Sequence, residues 1–360
     1  MSFAKAERKV PLFTGTYTPN MRHVLITRQG PPEVLQAVYA PDPVPRDGEV
    51  RIAVRAAGVN FADIMARLGL YPDAPPLPAV VGYEVAGVVD AVGSGSAPFR
   101  LGDRVFAFTR FGGYATSVTA PATFVFPTPP QLSDVEAAAI PVNYLTAFVA
   151  LETLAHVGSG ETVLVHGAGG GVGIAATQIA KHRGATVIGT ASAMKLDAIR
   201  SFGVDHPVDH QHDVPGEIRR LTSGRGVDVV LDPIGGRSAR VSYELLAPLG
   251  RLVLYGASTL AVGERRNLWR VVRTLVEMPA FRPLSLMNRN RGVFGLNLGH
   301  LWGETDRLRS AAQTLIAGFE AGRLRPVIAK TFPLENAADA HRYIQARANI
   351  GKVVLTIDKP

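Results

Sequence analysis

The spacing of apolar positions changes partway along the chain. Up to about Pro130 they come in short runs rich in Val, Ile and aromatic residues, at 23–27, 35–39, 50–54, 85–92 and 104–108. Asp47-Gly48, Gly93-Ser94-Gly95 and Gly112-Gly113 separate these runs. Strand-forming residues bounded by turn formers predict a β-rich domain. From Asp134 an acidic start followed by alanines predicts a capped helix, and 144–154 continues with apolar residues at helical spacing.

Between Glu161 and Ser258 the two periods alternate. Strands are predicted at 163–166, 186–190, 206–208, 227–232 and 251–255, with helices at 172–182, 195–202, 216–222 and 239–246 between them. Such alternation means βαβ units and a parallel sheet with helices on both faces. An amphipathic, Arg-bearing segment at 267–278 follows, then a strand at 292–298, two helices and a closing strand at 352–357. The expected fold class is α/β, a doubly wound parallel (Rossmann) sheet joined to the β-rich domain. The expected division is a loose extension at 1–20, the first part of the β-rich domain at 21–143, the Rossmann domain at 144–298, and a return to the β-rich domain at 299–360.

Composition narrows the function classes. The 360 residues contain no cysteine, which excludes disulfides, a thiolate nucleophile and cysteine-ligated zinc. The formal charge is +8, yet no block of five consecutive Lys/Arg and no base-stacking motif occurs, so nucleic acid is not the expected partner. A basic surface suits an anionic small molecule as well. The longest uncharged runs, 111–133 and 162–180, are broken by prolines and by a glycine cluster, so no transmembrane segment is expected. Lys5, Arg8 and Lys9 precede no apolar stretch of signal-peptide length, and a cytoplasmic location is expected.

The strongest local feature is the strand ending at His166, then Gly167-Ala168-Gly169-Gly170-Gly171-Val172-Gly173 and an apolar helix. A dinucleotide site needs small residues for the tight turn, for backbone approach to pyrophosphate and for close helix–strand packing. Ala168, Gly170 and Gly173 give the best register, with Ala168 replacing the first glycine. Pyrophosphate would rest on free N–H groups at the helix start. At the end of the second strand, 189–195 offers no acid for a ribose hydroxyl, whereas Ser192 and Lys195 suit a 2′-phosphate; the expected cofactor is NADPH. His206, His210 and His212 lie among aspartates but lack zinc-site spacing, so no metal is expected there.

Several motifs together resemble the medium-chain dehydrogenase/reductase superfamily, in its zinc-free quinone oxidoreductase (zeta-crystallin-like) branch: Ala57-Gly-Val-Asn60-Phe-Ala-Asp63, Arg67-Leu-Gly-Leu-Tyr71, Gly82-Tyr-Glu84-Val-Ala-Gly87, Asn143-Tyr-Leu-Thr-Ala147, the glycine turn, Asp228-Val-Val-Leu-Asp232-Pro-Ile-Gly-Gly236 and Ile350-Gly-Lys-Val-Val-Leu355. The segment 267–298 is similar, more weakly, to the vesicle amine transport protein group. The resemblance implies a GroES-like catalytic domain, with Asn60 and Tyr83 at positions where zinc relatives carry Cys and His ligands. It implies cofactor contacts by Asn60, Thr146, Ala168, Gly170, Gly171, Val172, Gly173, Ser192, Lys195, His210, Gly256, Ala257, Ser258, Phe294 and Lys352. Members are commonly homodimers joined through the strand that 293–298 would supply.

Without a Lewis acid, acceptors with conjugated electron sinks are favoured, so the expected reaction is hydride transfer from NADPH to a quinone or α,β-unsaturated carbonyl. Tyr71, with Tyr83 and Asn60 behind it, is the candidate to hydrogen-bond the acceptor oxygen. Two alternatives stay open: an enoyl-thioester reductase, and a nucleotide-binding, membrane- or lipid-associated protein of the same fold with little turnover. The latter is suggested by seven arginines against two glutamates in 259–291.

Overall fold

The computed structural model describes residues 21–358. The extension expected at 1–20 lies outside the described residues. Two sheets carry the architecture. One is antiparallel but for a single pair: Glu49–Val59, Glu84–Val92, Arg104–Phe108, Ser117–Pro121 and Val125–Pro127 are joined on one edge by Lys352–Thr356 and Ile328–Pro333, the last two parallel to each other. Residues from the end of the chain thus complete a sheet begun near its start. A small sheet of Met21–Ile26, Leu35–Ala40 and Ala79–Val80 covers part of it.

The second sheet is parallel throughout: β1 (Thr162–His166), β2 (Thr186–Ala191), β3 (His206–Asp209), β4 (Val227–Asp232), β5 (Leu246–Leu254) and β6 (Gly292–Gly295), in spatial order β3-β2-β1-β4-β5-β6. This is the strand order of a Rossmann sheet, whose reversal between β1 and β4 opens a crevice at the strands' carboxyl ends. Val163, Leu164, Val165, Val229, Val230 and Leu231 are fully buried, as central strands covered on both faces must be.

The expected helix at 239–246 is corrected: the helix is Arg237–Glu244, and Leu246 already opens β5. Apolar residues around Leu246 continue the helical pattern without a break, so periodicity alone misplaces the boundary. The helix Leu268–Glu277 turns its apolar stripe outward. Leu268, Trp269, Val272, Leu275 and Val276 share one face and are exposed, Trp269 at 85%, while Thr274 is buried. Among the described residues no helix is long and apolar enough to cross a membrane.

Candidate functional site

The long strand Glu49–Val59 ends at Asn60, which starts the helix Phe61–Arg67. The Asn60 side chain is locked from both sides. Its Nδ2 donates to Glu84 Oε1 at 2.8 Å, and its Oδ1 accepts from Lys352 Nζ at 2.6 Å. Glu84 and Lys352 also form an ion pair at 2.5 Å, and the other Glu84 oxygen accepts from the Val142 N–H at 2.7 Å. All three side chains are buried, Glu84 completely. Lys352 therefore meets Asn60 directly and turns its ammonium inward. Glu84, whose motif Gly82-Tyr-Glu84 carries no local sign of a role, joins them.

Beneath this set lies a second buried network. Asp63 accepts from the Asn60 and Gly82 N–H groups at 2.8 and 3.0 Å and from the Tyr114 hydroxyl at 3.1 Å. That hydroxyl lies 3.1 Å from His341 Nε2. Burial pushes Asp63 up to about 7 despite its three donors, and burial holds His341 far below the usual imidazole range and so neutral.

Tyr71 and Tyr83 meet edge to face, with ring centroids 6.0 Å apart, and Phe111 packs against Tyr83 at 5.1 Å. Burial raises the pKa of both hydroxyls, and the Asp63 charge raises Tyr83 further, so each is a protonated donor at neutral pH. The Tyr71 hydroxyl donates to Asn297 Oδ1 at 3.4 Å. Asn297 follows β6, so this contact joins the segment after the helix Phe61–Arg67 to the end of the parallel sheet.

At the glycine turn each small residue has a different neighbour. A Cβ on Gly173 would lie 2.4 Å from the Gly167 carbonyl oxygen, which makes Gly173 the close-packing position. A Cβ on Gly171 would strike the Asn143 side chain at 2.3 Å. Gly170 precedes the helix Gly171–His182, whose first N–H groups lack intrahelical partners. Ala168 is fully buried, and a Cβ on Gly189 of β2 would come within 2.8 Å of its methyl. Bare glycine on the neighbouring strand makes room for the alanine.

Past β2, Ser192 is half-buried and His210 exposed, and the His210 N–H donates to Ala191 O at 2.9 Å. Lys195 Nζ donates to the carbonyls of Arg347 and Asn349, both at 2.6 Å, and burial followed by the Arg347 charge lowers its pKa. Exposed Arg347 thus stands beside Lys195. Sequence reading misses it, because only folding brings it across 152 residues.

Thr146 is buried on the helix Pro141–Phe148, and Val172 is half-buried in the first helical turn. Gly256, Ala257 and Ser258 follow β5, with the Ser258 N–H bonded to Pro233 O at 3.0 Å; Phe294 lies within β6. These positions border the carboxyl ends of the parallel strands. His166 is buried and neutral, 3.0 Å from Thr190 Oγ1. A groove of about 490 Å³ lined by Arg219, Arg237 and Arg240 lies on a helical flank and shares no residue with this site.

Residues 46–130 match the alcohol dehydrogenase GroES-like domain and residues 202–355 the zinc-binding dehydrogenase domain. The chain is 42% identical over 323 residues to the synaptic vesicle membrane protein VAT-1 homolog of Homo sapiens, spanning 89% of this chain and 82% of that protein. It superposes on mycobacterial Rv1454c complexed with NADPH with a TM-score of 0.83 at 34% identity, covering 94% of this chain and 100% of the other. Escherichia coli quinone oxidoreductase complexed with NADPH gives 0.83 at 29% identity, covering 93% and 100%.

Proposed function

The chain belongs to the medium-chain dehydrogenase/reductase superfamily and is an NAD(P)-dependent oxidoreductase; from that premise we propose that it uses NADPH, without zinc, to reduce a quinone or an α,β-unsaturated carbonyl. The observation that carries this reading is the rim beyond β2. Lys195 and Arg347 stand together there, and 189–195 contributes no carboxylate to claim a ribose hydroxyl. Two related proteins are complexed with NADPH, which supports the same choice.

The residues fit such a coenzyme. The free N–H groups after Gly170 would hold the pyrophosphate, favoured by the helix dipole, and Ser192, Lys195, His210 and Arg347 would hold the 2′-phosphate. Asn60, immobilised by Glu84 and Lys352, would fix the nicotinamide ribose, with Thr146, Val172, Gly256, Ala257, Ser258 and Phe294 lining the ring's surroundings. The bound coenzyme supplies hydride. Tyr71 donates a hydrogen bond to the acceptor oxygen as negative charge gathers there, and Tyr83 packs behind it. The family resemblance puts Asn60 and Tyr83 where zinc relatives carry ligands, and the chain has no cysteine, so on this reading the acceptor provides its own electron sink.

Titration with NADPH and NADH, followed by cofactor absorbance against quinones and enones, tests this. Lys195→Ala is expected to weaken NADPH binding by about tenfold, the scale of one charge-assisted contact, and to leave NADH nearly unchanged. An unchanged ratio of the two affinities overturns the cofactor assignment. Absence of turnover across the panel overturns the reaction.

A further inference from the structure

A hollow of about 570 Å³ opens beside Asn297, within the range of about 300–1,000 Å³ typical of small-molecule sites. Its walls are mainly apolar and come from several elements. Val149 and Leu154 belong to a π-helical turn, Leu254 ends β5, Leu296 follows β6, and Leu308 and Leu301 come from the long helix Thr305–Glu320 and the turn before it. In the π-helical turn the Ala155 N–H reaches back five residues to Ala150 O at 3.0 Å; such turns recur at functional sites. The polar side chains that line it, Thr153, Asn297, His300, Glu304 and Arg307, are all exposed.

Asn297 joins this hollow to the reacting end. Its amide orientation is fixed by two contacts: Oδ1 accepts from the Gly299 N–H at 3.0 Å, and Nδ2 donates to Asp73 Oδ2 at 3.2 Å, a carboxylate oxygen that His300 Nε2 also meets at 2.8 Å. The oxygen is thereby presented to the Tyr71 hydroxyl. A ligand whose carbonyl replaces Asn297 as the partner of Tyr71 has its remaining atoms at the mouth of an apolar hollow. A polar group there would lose water without gaining a partner, whereas a hydrocarbon gains by burial.

We propose that this hollow is the tail subsite of the acceptor, so that the substrates are enones, enals or quinones bearing a medium-length apolar chain. The proposal rests on the reductase reading above and adds the substrate class to it.

The test is a homologous series of 2-alkenals from butenal to dodecenal, with alkyl-1,4-benzoquinones in parallel, assayed with NADPH. We expect kcat/KM to rise about fourfold per added methylene until the hollow is full, then to level. Leu308→Trp, which occupies the hollow, should flatten that slope; Thr153→Trp, on an exposed stretch of the wall, provides a second filling should the first variant fail to fold. A flat series in the wild type, or an unchanged slope in a folded filled variant, overturns the proposal while leaving the reductase reading intact. If no acceptor is reduced, the reductase reading fails, and displacement of cis-parinaric acid decides the hollow alone. Weaker probe binding in the filled variant supports the subsite; equal binding overturns it. Probe binding that disappears as the protein self-associates assigns the hollow to a second copy of the chain and also overturns it.

Discussion

A carboxyl group with no water around it is stable only if its neighbours choose its charge, and Asp63 and Glu84 are two different solutions to that problem. Glu84 faces the Lys352 ammonium. Asp63 has hydrogen-bond donors but no cation in contact, and burial pushes it up to about 7. Its ordinary value is 3.8, so across that interval the folded chain keeps a proton that the unfolded chain has released. The stabilisation linked to this proton is complete below about pH 4 and is lost as pH rises through about 7. His341 has the opposite sign: its pKa is depressed, so its contribution is lost as pH falls below the unfolded imidazole value of about 6.5. Asp63→Asn keeps a neutral acceptor in place and removes only the first effect. Urea unfolding at a series of pH values is therefore expected to show the wild type losing more stability than the variant between pH 4 and 7, by a few kcal/mol at most. Parallel curves would mean that Asp63 is charged throughout.

Among elements, β1, the helix that follows it and β2 show what a linear sequence reveals and what it conceals. The strand, turn and helix are legible because a buried parallel strand, a glycine bend and an apolar helix each leave a local mark. The substitution of Ala168 for the first glycine is legible only as a departure; its reason is Gly189, on the next strand. Gly189→Ala places a methyl 2.8 Å from that of Ala168 and 2.9 Å from Val204, and should cost about 1–3 kcal/mol by overpacking. Adding Ala168→Gly should restore part of the loss, since the Val204 contact remains; chemical denaturation of the single and double variants measures this coupling. Strictly additive losses would mean that the two strands do not share the space. The same logic explains the rest of the site. Asn60, Tyr71 and the glycine turn stand out in motifs, while Glu84 acting on Lys352 across the chain, Arg347 beside Lys195, and Asn297 meeting Tyr71 are pairings of residues far apart in sequence. The strand Ile328–Pro333 is missed because its alternation is short and two of its residues are exposed polar ones.

At the scale of the whole molecule, the parallel sheet ends at β6, a four-residue edge strand whose inner side pairs with β5. A bare sheet edge is a template for another strand, and the homodimer implied by the family resemblance would place a second β6 there about a twofold axis. The Leu296 N–H bonds inward to Leu254 O at 2.8 Å. Because neighbouring residues alternate in direction along a strand, the N–H groups of Val293 and Gly295 then point outward. Val293→Pro removes one outward donor without taking a bond from β5. Sedimentation velocity is expected to find the wild type dimeric and Val293→Pro shifted towards monomer, with NADPH affinity preserved because the nucleotide crevice lies between β1 and β4, two strands away from this edge. If the variant remains as dimeric as the wild type, the copies meet elsewhere, and the exposed stripe of Leu268, Trp269, Val272, Leu275 and Val276 becomes the next surface to examine.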